Sequence, residues 1–70
     1  MFYFFSRGSS FVRCEIRPPE GDRGYEIVVA EPGTAERVSS FASSDQAHQH
    51  WLRLQEEFNA QGWWGPHGRE

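Results

Sequence analysis

Apolar and polar residues alternate with a period of two in the first half of the chain and switch to a period near 3.6 after residue 43. In residues 10–17 (SFVRCEIR), Val12, Cys14 and Ile16 fall on one side. Arg13, Glu15 and Arg17 fall on the other, behind Phe11, so the segment predicts a half-buried strand. Residues 25–31 (YEIVVAE) repeat the pattern, with Tyr25, Ile27 and Val29 opposed to Glu26, Val28 and Ala30. Residues 35–41 (AERVSSF) give a weaker fourth strand, and the aromatic run 1–5 (MFYFF) a first one. Ser6-Arg7-Gly8-Ser9, the stretch from Pro18 to Gly24, and Glu31-Pro32-Gly33-Thr34 are turn signals between them. Links this short predict an antiparallel meander.

The helical pattern begins at Ser43. A serine there can cap free amides, Gln46 three residues later completes a capping box, and Asp45 sits at the positive end of the helix. Ala47, Trp51, Leu54 and Phe58 then fall within about 60° of one another on a helical projection, one narrow apolar stripe. Gly62 is the natural stop. The expected fold is therefore α+β: a four-stranded antiparallel meander followed by one C-terminal helix packed on one face, a βββα core with an extra N-terminal strand. The chain reads as a single small domain over 1–70, with the sheet in 1–41, the helix in 43–61 and an aromatic C-terminal tail in 62–70.

This arrangement leaves a covering problem. One helix shelters one sheet face, expected to hold Val12, Cys14, Ile16, Tyr25, Ile27, Val29 and Val38. The other face would still carry Phe11, Val28 and Ala30, with either Phe2 and Phe4 or Tyr3 and Phe5 beside them. An apolar patch of this kind needs a cover. Either the Trp63-Trp64 tail folds over it as a lid, a second copy of the chain covers it as a symmetric dimer, or the face binds another protein. The expected contact residues are Tyr3, Phe5, Phe11, Val28, Trp63 and Trp64, because aromatic rings supply most anchoring energy at interfaces.

Composition narrows the classes. Seven arginines, no lysine and ten acids give a net charge of -3, and the whole deficit lies in residues 31–70. That is not the basic footprint of a phosphate binder. No apolar run approaches the roughly 20 residues of a membrane span. The five apolar residues at the start have no basic segment before them and no cleavage site after, so they do not read as a signal peptide. Cys14 is the lone cysteine, which excludes a disulfide scaffold and fits a reducing, cytoplasmic setting.

Catalytic chemistry finds little to work with. Ser43 and Ser44 have a plain structural task at the helix start, and no base and orienting group accompany them. Cys14 on the inward face reads as a small buried hydrophobe. His48 and His50, two apart on a helix, point about 200° away from each other and cannot share a metal. Glu56 and Glu57 read as a solvated helix face, and no glycine pattern matches a phosphate loop. No catalytic residue, cofactor or metal is expected.

Arg13, Arg17 and Arg37, interleaved with aromatic residues, open an alternative in which the sheet binds nucleic acid. Residues 10–61, three strands and a helix begun through Phe41-x-Ser43-x-Asp45-Gln46-Ala47, resemble the DNA-binding domain of plant ethylene-response factors. The resemblance implies DNA reading by arginines and tryptophans on a three-stranded sheet. The chain departs from that pattern in its net acidity, its extra first strand and the lack of tryptophan in the sheet, and Glu15 and Glu26 would repel phosphate. The first expectation is thus a small non-catalytic protein acting through protein–protein contact as a homodimer. The nucleic-acid binder is the alternative, and a membrane partner is not expected.

Overall fold

The computed structural model describes residues 1–69 and shows an α+β fold with one antiparallel sheet and one helix. The strands are β1 (Phe2–Arg7), β2 (Ser10–Arg17), β3 (Tyr25–Ala30), β4 (Arg37–Phe41) and β5 (Trp64–Arg69); α1 (Ser44–Ala60) lies between β4 and β5. The sheet has five strands in the order β4-β3-β2-β1-β5. β2 and β3 are where the alternation puts them, while β1 runs on through Ser6 and Arg7, expected as turn, and β4 begins at Arg37 instead of residue 35. The tail corrects the expectation: residues 64–69 form a fifth strand on the free edge of β1 instead of a lid. Glu70, the last residue of the expected tail, lies outside the described residues.

The helix is what makes this order possible. Seventeen residues at about 1.5 Å each give roughly 25 Å, enough to cross five strands spaced about 4.8 Å apart. It therefore carries the chain from the β4 edge to the β1 edge. Its start is built as its sequence suggests: the Ser43 hydroxyl accepts the Gln46 amide at 3.2 Å. The Gln46 side-chain oxygen reaches one residue further back than a reciprocal box requires, accepting the Ala42 amide at 3.3 Å.

Ala47, Trp51, Leu54 and Phe58 are all buried and pack on Phe5, Val12, Cys14, Ile27, Val29 and Trp63. Tyr3, Ile16, Tyr25 and Phe41 close the margins of this core. Two rings from β1 meet the helix directly, Tyr3 at 5.0 Å from Trp51 and Phe5 at 4.9 Å from Phe58, measured between centroids. Val38 corrects the expected core. It pairs with Val28 in register and is 52% exposed on the opposite face, while Phe41, three residues on and so of opposite parity, supplies the core residue of β4.

Candidate functional site

The face of the sheet turned away from α1 is the candidate site, and three local structures decide what stands on it. The first is the β1–β2 hairpin. Its two-residue turn fixes Arg7↔Ser10, Ser6↔Phe11, Phe5↔Val12 and Phe4↔Arg13 as partners. Cross-strand partners share a face, so Phe5 goes with Val12 into the core and Phe4 goes out with Arg13. Tyr3 and Phe5 therefore correct the expected contact set: both face the helix, and Phe5 is fully buried. Phe2 and Phe4 replace them on the open face.

The second is the end of the helix. The Gly62 amide donates to the Asn59 carbonyl at 3.1 Å, and the Trp63 amide to the Phe58 carbonyl at 2.9 Å. These are the paired bonds of a Schellman motif, with Gly62 in the required left-handed conformation at φ 89°. The motif brings Trp63 back onto Phe58, edge to face at 6.5 Å. Trp63 is thus a core residue, 6% exposed, and its expected role as a contact residue is corrected.

The third is a bulge in β5. Phe4 pairs with His67 and Ser6 with Trp64, so β5 spends one more residue than β1 between the two pairs. Gly65 fits that step because a Cβ there would lie 2.7 Å from the Phe4 carbonyl oxygen. The extra residue turns Trp64 and His67 to the same side, with ring centroids 4.6 Å apart. Trp64 stands on the open face, 73% exposed, and Phe11 faces it across Ser6, 59% exposed. Beside them Phe4, Phe11, His67 and Gly68 line a shallow depression of about 480 Å³.

The other half of the face is charged and internally paired. Arg17 contacts Glu15 at 3.0 Å and Glu26 at 3.7 Å, and Arg13 contacts Glu36 at 3.3 Å. Among these groups Val28, flanked in register by Glu15 and Val38, is only 2% exposed. It is sealed by its neighbours and drops out of the expected contact set. Arg37 is corrected for a different reason: it pairs with Val29, which puts it on the helix side of β4, and it is tied to Glu31 at 2.7 Å. The three arginines of the nucleic-acid reading do not form one surface.

Cys14 is fully buried, and burial, aided by Glu31 and opposed by Arg37, pushes its thiol up to about 12. It is a neutral thiol packed as a hydrophobe. His50 lies on the Phe41 ring at 4.9 Å, and His67 on Trp64. Among the described residues no group of three metal-ligating side chains converges. Among the described residues no helix is long and apolar enough to cross a membrane. Comparison with protein-family models, with curated proteins and with solved structures finds no match for this chain.

Proposed function

We propose that this is a small non-catalytic protein that acts through protein–protein contact, as a homodimer, with its open sheet face buried between two copies. The observation that carries the reading is Trp64, a 73% exposed indole held on an ordered strand beside a 59% exposed Phe11. Exposed rings on a rigid element lose little entropy on binding and anchor interfaces. The lone cysteine makes no disulfide, which suits the reducing cytoplasm as its place of action.

The nucleic-acid alternative has less behind it. Arg13, Arg17 and Arg37 each already face a carboxylate, and the net charge of -3 opposes phosphate. DNA binding at about 50 mM salt that weakens steeply as salt rises would restore it. The contact reading is tested by light scattering at micromolar concentration. The expected masses are a dimer for the natural chain and a lowered dimer fraction for Trp64→Ala; a natural chain that stays monomeric overturns the reading.

A further inference from the structure

The register of the open face limits how a second copy can sit on it. Its side chains form rows across the strands. One row holds Phe4 and Arg13, and the next holds Phe2, Glu15, Val28 and Val38. Outside these two, Ser6 lines up with Phe11 at one end and Arg17 with Glu26 at the other. In plan the face measures roughly 24 Å across five strands by 20 Å along six residues, on the order of 500 Å² before side-chain relief is counted. A stable specific pair hides roughly 800 Å² of accessible surface per partner. The aromatic half alone is well short of that, so the charged half must be covered as well.

Two two-fold axes keep the strands of the two copies aligned and lay most of one face over the other. An axis running along the central strand β2 sets Arg13 over Arg13, Glu15 over Glu15 and Arg17 over Arg17. That stacks like charges, which oppose association. An axis running across the strands, midway between the Phe4–Arg13 row and the Phe2–Glu15 row, does the reverse. It sets Arg13 over the partner's Glu15 and Phe4 over the partner's Phe2, each pair occurring twice by symmetry. It also sets Phe11 over the partner's Arg17, a pairing of ring face and guanidinium, and leaves Trp64, in the same row as Ser6, at the rim of the overlap. Charge complementarity selects this second axis.

We infer that two copies of this chain pack open face on open face about a two-fold axis crossing the strands between Arg13 and Glu15, so that each Arg13 meets the partner's Glu15. This rests on the homodimer reading above. The internal pairs of Arg13 and Glu15 are partly exposed and rearrange at little cost.

The test is a charge exchange followed by sedimentation equilibrium, with circular dichroism confirming that each variant folds. Arg13→Glu and Glu15→Arg are each expected to weaken the dimer roughly tenfold or more, since each creates two like-charge contacts. The double variant R13E/E15R restores opposite charges and is expected to return to near the natural affinity. A dimer whose affinity neither single variant changes, or that the double variant fails to restore, overturns this geometry and leaves the homodimer standing. A natural chain that is monomeric up to several hundred micromolar removes both.

Discussion

Arg7 and Trp63 are joined across 56 residues of sequence: the guanidinium carbon of Arg7 lies 4.3 Å from the centre of the Trp63 ring. The same guanidinium donates to the Gln61 carbonyl at 2.8 Å. One side chain at the end of β1 thus covers an indole and satisfies a carbonyl at the negative end of α1. Arg7→Ala is expected to cost about 1–2 kcal/mol, the combined worth of a cation–π contact and a charged hydrogen bond at a partly wet site. In a domain of this size each kcal/mol lowers the melting temperature by roughly 4–8 °C. Arg7→Lys keeps the charge but not the flat fork, so calorimetry should place it between the two.

The adjacent tryptophans have opposite consequences. Trp63→Ala empties a core position and should cost about 3–5 kcal/mol, a large part of the roughly 3–10 kcal/mol that 70 residues sustain. Trp64→Ala should change the stability of the isolated protomer by no more than about 0.5 kcal/mol. Urea denaturation of dilute protein measures both. Acrylamide quenching of the same dilute, dissociated protein gives a second readout, because in the single chain Trp51 and Trp63 are buried and Trp64 is not. W64A should abolish most of the quenchable emission.

Gly65→Ala strains the bulge. Its φ of 152° suits glycine, and the added Cβ would crowd the Phe4 carbonyl and the Phe5 ring at 2.7 and 3.0 Å. The expected loss is about 1–3 kcal/mol, with faster amide exchange in β5. Gly68→Ala is the control on the same strand, since its Cβ would meet nothing nearer than the Tyr3 ring at 3.8 Å. It should be close to neutral.

Cys14 gives the fold a dependence on alkaline pH. Its folded thiol is pushed from 9.0 up to about 12, chiefly by burial. The unfolded chain therefore gives up that proton first, and the stability from the neutral thiol is complete below pH 9. It declines as pH rises from there towards 12, by up to about 1.4 kcal/mol per pH unit. Denaturation midpoints of the natural chain and Cys14→Ala, compared at pH 7 and 10, check the sign: the natural chain should lose more. At pH 8 a thiol reagent should label Cys14 only as fast as the fold opens, and immediate labelling would contradict its burial.

The alternation in β2 and β3 and the stripe from Ala47 to Phe58 were legible because each pattern has one period and one buried side. β1 was not, because MFYFF is apolar on both faces and period alone cannot choose between Phe5 and Phe4. The choice was nevertheless present in Gly8-Ser9: a two-residue hairpin turn sets Phe5 opposite Val12 and decides every ring in the strand. The tail hid its strand behind Gly65 and Pro66, residues that argue against a central strand but are tolerated at an edge. Its split of Trp63 from Trp64 depends on the Schellman turn and the bulge, and neither follows from a hydrophobic pattern. Arg13 and Arg17 lay where alternation put them, but their carboxylate partners come from pairings that only the register reveals.

The first strand of the sheet is hydrogen-bonded to the last, Phe2 opposite Arg69. During synthesis on the ribosome, β1 can pair with β2 within a few seconds, yet its other edge waits for almost the whole chain, helix included, to emerge. Until then four consecutive aromatic residues flank an unpaired backbone, the arrangement most prone to joining a neighbouring nascent chain. Damage to β5 would therefore be felt first as lost yield of soluble protein, ahead of any defect in what the finished protein does.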